Sequence, residues 1–493
     1  MADVSIALNR FGLGARPDDP LPEEPRKWLI GQLDAFEPNP PAIAALPGRQ
    51  QIAGNLAADI EQTRMLRRDM REAQASSRPT SPATMDGDKG APSNAPADTN
   101  ALQEARRIAR RKAQDLYLGA VGARAATALL SPTPFVERLV HFWANHFAVS
   151  TEKASMPSLA GLFEFEAIRP HVLGTFGAMV SAVERHPAML LYLGQAQSMG
   201  PASPAGARIA RRGGRTLGAN ENLAREIMEL HTLGVRTGYV QGDVTEFARA
   251  MTGWTVVGLA GGAAGRFAEG RGSPGDFLFA PPLHEPGTRT IMGRPYPEPG
   301  ESQAQAVLDD LAVNPATATH IATKLARHFA GDIPPPAMVA RMQASFLQTG
   351  GDLPSLYRAL IDSPEAWVAQ PAKFKTPWEW SISAMRALGI RTVQPAAVNG
   401  LLNQLGQRTW RPGSPAGYDD IAPSWAGPDA IMRRVEAAQR FAAQAGEQVD
   451  ARSLAPKLFP ATLSSGTAQA LARAESGRQA LALLLVAPEF MRR

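Results

Sequence analysis

Apolar positions recur at helical spacing along most of this chain, and the stretch Gly218 to His231 shows the pattern most clearly. Leu223, Ile227 and Leu230 stand at i, i+4 and i+7, so on a helix they form one apolar stripe. Asn222, Glu226 and Glu229 repeat that spacing one residue earlier. An amide and two carboxylates therefore run along the edge of a packing face. A buried carboxylate left alone costs several kcal/mol or takes up a proton, so these groups are expected to be paired or bound. A salt bridge with Arg225 or Arg249 is the plain alternative to chemistry.

The same periodicity predicts short helices around Ile6–Leu8 and Trp28–Leu33, an amphipathic helix from Ile52 to about Glu72, and a partner from Leu102 to Leu130. Between the last two, Ala75 to Asn100 is Ser, Pro, Ala, Asp and Gly with almost no large apolar side chain. Such a segment cannot bury enough surface to order itself, and it reads as a disordered or exposed loop. Thr133-Pro134 opens a helix through His141 and His146. Helices follow near Ser158–Ile168 and Gly177–Leu193, then a basic, Gly-rich loop from Gln195 to Gly218. Asp243 and Glu246 look like a capping box, a structural role. From Gly253 to Gly293, β-branched and aromatic residues alternate with Gly and Pro, which suits a small β-hairpin or irregular insertion. The rest is helical around one Pro- and aromatic-rich loop, Thr409 to Trp425. The expected fold is mostly α: a main helical domain over 1–393 carrying the insertion at 253–293, with a C-terminal helical region over 394–493 packed on it.

Composition narrows the chemistry. The 493 residues contain no cysteine, which excludes disulfides, thiolate nucleophiles and Cys-ligated metals. A formal charge of +5, from 51 basic and 46 acidic residues, gives little reason to expect nucleic-acid binding; the basic run Arg106 to Lys112 reads as a solvated helix face. No apolar run is long enough to span a bilayer, and the N-terminal residues lack the pattern of a secretory signal, so the chain reads as cytoplasmic.

No Walker A loop, dinucleotide-binding glycine motif, G-x-S-x-G elbow or H-E-x-x-H motif is present. Imidazole remains. His141 and His146 point about 140° apart on a regular helix, so they cannot share one ion. His146 lies among large aromatic residues, His186 precedes a proline at the head of an apolar run, His231 ends the carboxylate-bearing helix, and His284 sits in the insertion. These four are the candidate ligands, and Glu226, Glu229 and Asn222 the candidate catalytic groups, for iron, copper or zinc held without thiolate. Trp410, Tyr418 and Trp425 in the aromatic loop are expected to border a substrate or partner surface. Histidines 141, 171, 320 and 328 read as packed or solvated residues.

Several segments together carry a resemblance: Leu8-Asn-Arg-Phe-Gly12, Phe142-Trp-Ala-Asn-His-Phe147, His186-Pro-Ala-Met189, Asn220 through His231, Met251-Thr-Gly-Trp254 and Ala487-Pro-Glu-Phe490. In this order they resemble the bacterial family catalogued as domain of unknown function 1800. That resemblance implies a mostly helical fold and no settled reaction. It also implies a possible partner, an exported sulfatase-like protein with a twin-arginine signal, with which this chain would travel to the periplasm. The functional expectation is a metal-dependent enzyme, an oxidoreductase of hydroxylating type. A metal-dependent hydrolase and a non-catalytic partner of the sulfatase-like protein are the alternatives.

Overall fold

In the computed structural model, residues 1–76, 95–213 and 218–493 are described. The chain is mostly helical, with two small antiparallel two-stranded sheets. Helices α1 (Arg49–Ser76) and α2 (Ala95–Leu130) pack against each other, and Lys112 of α2 pairs with Asp59 of α1 at 3.0 Å. Most of the loop expected at 75–100 falls on 77–94, outside the described residues. Its last part is a correction: residues 95–100 already belong to α2.

Helix α3 (Pro134–His146) begins with proline, whose missing N–H costs nothing at that position. The side chain of Gln32 accepts from the next N–H, that of Phe135, at 2.8 Å. Phe135, Val136, Leu139, Val140 and Trp143 of α3 are buried in the main core. Helix α4 (Phe176–Arg185) is capped by Thr175, and a short helix, Pro187–Tyr192, follows it. The loop expected from Gln195 to Gly218 contains a helix, Pro204–Arg211, which Ser203 caps by accepting from the Gly206 N–H; residues 214–217 lie outside the described residues.

Helix α5 (Asn222–Glu226) does not continue as an α-helix. At Ile227–His231 the backbone widens to π geometry, in which the Thr232 N–H reaches back five residues to the Ile227 carbonyl at 2.9 Å. The extra residue turns Glu229 and His231 away from the register that Asn222 and Glu226 set.

The insertion has the expected character. Strand β1 (Trp254–Val256) pairs with β2 (Phe277–Phe279), and β3 (Arg289–Ile291) with β4 (Arg294–Tyr296). Met292 and Gly293 join β3 to β4, both at positive φ, as a tight turn between twisted strands requires. Asp243 accepts from the Val240 N–H at the start of the helix Gln241–Ala250, and Glu246 pairs with Arg249 and Arg289; both roles are structural.

Helix α6 (Pro315–Ala330) crosses the main core, and helix α7 (Pro377–Ala387) is buried along its whole length. Trp378, Ile382 and Met385 of α7 belong to the main core, while Trp380, Ala384 and Ala387 belong to a second one formed by the C-terminal helices. Val4 and Leu8 from the N-terminus also pack into that second core. Among the described residues, no helix is long and apolar enough to cross a membrane.

Candidate metal centre

Helices α3 and α6 bring polar side chains together inside the main core. His146 closes α3, and its ring is packed between Trp143, Phe147 and Phe142. Its Nε2–H donates to the His231 carbonyl at 3.0 Å, and its Nδ1 accepts from Lys324 Nζ at 2.9 Å, protonation being assigned from those partners. Burial, then the Lys324 charge, push its pKa well below the usual histidine range, so the ring is neutral.

His231 and its partner Glu184 are both fully buried, and His231 Nδ1 lies 2.8 Å from Glu184 Oε1. The other nitrogen of the ring, Nε2, has no hydrogen-bond partner, nor has Glu184 Oε2. His320 repeats the arrangement. It bonds the backbone of Leu230 and leaves Nε2 buried without a partner. Burial lowers His320 to about 4. Gly234 makes room for this ring: it holds φ +92°, and a Cβ there would stand 2.5 Å from His320 Nδ1.

The ring centres of His146 and His231 are 6.4 Å apart, and those of His146 and His320 6.0 Å. Among the described residues, no three His, Asp or Glu side chains already close around one point. Lys324 holds the positive charge nearest these rings. Desolvation brings its ammonium down to about 8, although the residue is partly exposed. Glu226 stands at the rim. It is half-buried, acts electrostatically on His231 and Tyr192, and is raised above the usual carboxylate range, chiefly by burial.

The structure thus brings together three of the side chains marked in the sequence, His146, His231 and Glu226, and adds Glu184, His320 and Lys324. The others have different partners. Glu229 pairs with Arg225 at 3.5 Å and bonds Tyr239, so the salt-bridge alternative is the one realised there. Asn222 is exposed at the start of α5, where its backbone N–H bonds Asn220. His284 contacts the Thr252 carbonyl at 2.9 Å beside Phe279 in the β insertion. His186 caps the helix Pro187–Tyr192. His320, expected to be packed or solvated, is packed, and its ring stands 6.0 Å from that of His146 with Nε2 unpartnered.

A second polar cluster lies one turn and more away along both helices. Arg138 of α3 bonds the Gly12 carbonyl and Glu379 of α7, and Arg493 reaches the same carboxylate at 2.8 Å. His328 of α6 bonds Asp420 at 2.7 Å, and Lys373 reaches both Asp420 and Asp332. Burial alone would raise Glu379 and Asp420, but Arg493 and Arg138 around the first, and the bonded His328 ring and Lys373 around the second, hold both well below the carboxylate range. A cavity of about 100 Å³ adjoins this cluster, lined in part by Trp410 and Tyr418.

The aromatic loop is not an exposed face. Trp410 and Trp425 are each 8% exposed; Trp410 donates to Glu164 at 2.7 Å and Trp425 to the Asp419 carbonyl. The Tyr418 hydroxyl closes the loop on the carbonyls of Arg408 and Arg411. Rigid aromatic rings among Pro and Gly were read as a surface, whereas each indole N–H had an interior acceptor to find. A cleft of about 1530 Å³ runs beside α1 and α2 and touches none of the cluster's side chains.

A family model described as protein of unknown function (DUF1800) matches residues 6–492. No curated protein and no solved structure matches the chain.

Proposed function

The chain belongs to the DUF1800 family over nearly its whole length, and from the geometry of its buried histidines we propose that it is a metal-dependent enzyme centred on His146, His231 and His320. The observation that supports this reading is the division of roles within each ring. One nitrogen is anchored, on the Glu184 carboxylate, the Leu230 backbone or the His231 carbonyl, as metal-bound histidines usually are. The other nitrogen is buried without a partner in His231 and His320 and meets only the Lys324 ammonium in His146. Buried polar atoms without partners need an explanation, and a cation answers for several at once.

With no cysteine available, imidazole and carboxylate suit iron, copper or zinc. In this reading His231 and His320 supply nitrogen, and His146 joins them when Lys324 gives up its proton or turns aside. Glu226 offers a carboxylate at the rim. We assign an oxidative reaction of hydroxylating type, with dioxygen as oxidant, because the chain carries no hydrolytic nucleophile motif. One observation favours a second reading, hydrolysis on zinc: Lys324, at about 8, can hold or release a proton near neutral pH.

Elemental analysis of protein purified without a His-tag tests the proposal. About one iron, copper or zinc per chain is expected, lost in folded His231→Ala and His320→Ala variants. Iron or copper with oxygen uptake supports hydroxylation; zinc supports hydrolysis. A wild-type chain that retains none of these ions after loading with each overturns the metal reading in favour of a non-catalytic partner role.

A further inference from the structure

A cleft of about 730 Å³ opens beside the bases of α1 and α2, and none of the histidine cluster's side chains lines it. Its walls are largely apolar, with Ile43, Leu46, Leu116, Leu162, Phe165 and Phe277 among them. That volume lies in the range of pockets for molecules of drug-like size. Two polar side chains in its lining, His186 and Glu166, have no satisfactory contact with each other.

His186 is 5% exposed. Its Nδ1 accepts from the Ala188 N–H at 3.2 Å, which places the proton of the neutral ring on Nε2. Burial lowers its pKa and keeps the ring neutral. That Nε2 has no hydrogen-bond partner, and Glu166 Oε2 stands 3.6 Å away, too far for a direct bond. Glu166 is itself partly exposed and lies 3.5 Å from Arg49 Nε. A donor and an acceptor thus face one gap at the edge of an apolar cleft.

We propose that this cleft is a second ligand site, which takes a neutral, apolar molecule carrying a hydroxyl group, with that hydroxyl seated beside the His186 and Glu166 pair and bonded to both. One oxygen about 2.8 Å from both atoms accepts from the imidazole N–H and donates its own proton to the carboxylate. The pair selects by chemistry. An ether accepts but cannot donate, so it leaves Glu166 unmet. A carboxylate or phosphate faces the Glu166 charge. The apolar walls take the body of the molecule, and its area sets the base affinity.

Calorimetric titration of the full chain with 1-octanol, octyl methyl ether and octanoate tests this. Octanol binds saturably and about tenfold more tightly than the ether, the difference one satisfied hydrogen bond gives; octanoate binds no better than the ether. His186→Asn keeps an acceptor for the Ala188 N–H, since asparagine is a favoured cap, but removes the N–H facing the cleft. Glu166→Leu removes the acceptor. Glu166→Leu reduces octanol affinity to that of the ether and leaves ether affinity unchanged, His186→Asn lowers the affinity for both, and neither variant changes metal content. Absence of saturable octanol binding, equal affinity for alcohol and ether, or a Glu166→Leu variant that still discriminates between them overturns the proposal, and the last result holds even if His186→Asn does not fold.

Discussion

Helices α3 and α6 carry two polar clusters, and the two are finished differently. Around Glu379, both carboxylates are met: Arg138 and Arg493 share Glu379, and Lys373 with the His328 ring holds Asp420, while Lys375 Nζ and Arg493 Nε nearby stay without hydrogen-bond partners. Around His231, two imidazole nitrogens and a carboxylate oxygen are buried with nothing to bond, and the nearest cation is a lysine whose ammonium is partly discharged near neutral pH. The first cluster ties α3, α7 and the residues near the C-terminus together. The second leaves its bonding capacity unused. Equal burial thus serves two ends: saturated polar contacts fix a structure, and unsaturated ones wait for a ligand.

The largest effect expected from this contrast is in the saturated cluster. Glu379→Ala leaves Arg138 and Arg493 facing each other without a counter-charge, and should cost about 3–5 kcal/mol in denaturant-induced unfolding. A loss under about 1 kcal/mol would show that the network is not the tie described here. In the unsaturated cluster the corresponding change should be functional. Glu184→Gln removes the anionic anchor of His231 and should weaken metal retention by about 10–100-fold, measured by competition with a chelator. Retention equal to wild type would remove the anchoring role.

Acid sharpens the comparison. His320 and His328 sit at about 4 in the folded chain against 6.5 in the unfolded one, so the unfolded state binds more protons between those values. Glu379 and Asp420, held below the unfolded carboxylate range, act in the same direction lower down. The share of stability that these histidines govern should therefore be complete above pH 6.5 and fall as pH drops toward 4. His320→Gln should flatten part of that slope in unfolding curves taken across the range; an unchanged slope would place the acid sensitivity wholly in the saturated cluster. Base should act on metal retention in the other cluster. As Lys324 loses its proton around 8, metal affinity should rise by up to about tenfold per pH unit, and Lys324→Met should abolish that rise. The smallest effect should come from Arg225→Ala. Its pairs with Glu221 and Glu229 are partly exposed, and a change of at most about 1 kcal/mol is expected.

Helical periodicity and turn chemistry carried the fold, since α2, α3 and the β insertion each announce themselves by spacing, proline or alternation. The site was legible only in part. Glu226 stands out beside an apolar stripe, His146 among large aromatic residues, and His231 at the end of the carboxylate-bearing helix. Glu184 and the pair His320 and Lys324 obey the rule that singles out Glu226: Glu184 lies four residues after Val180, and His320 and Lys324 lie one residue before Ile321 and Leu325. They were passed over because a lone histidine on a helix is usually packed, and the partners come from segments far along the chain. Glu229 departs for another reason, since α-helical spacing does not hold across the wide turn, while Asn222 lies at the exposed first position of its helix. Trp410 and Trp425 show the reverse error, in which composition suggested a surface and the indole N–H groups drew the rings inward.

The wide turn at Ile227–His231 makes the number of residues, as well as their identity, part of the site. It holds one residue more than an α-helical turn does, as the bond from Thr232 back to Ile227 records. Deleting a single residue there, Leu230 for example, lets the segment close into a regular helix without cutting it. The segments on either side then keep nearly their register, while the residues inside the turn, Glu229 and His231 among them, change the faces they present. Two chains can therefore share every motif letter in this region and differ in arrangement through a one-residue gap alone.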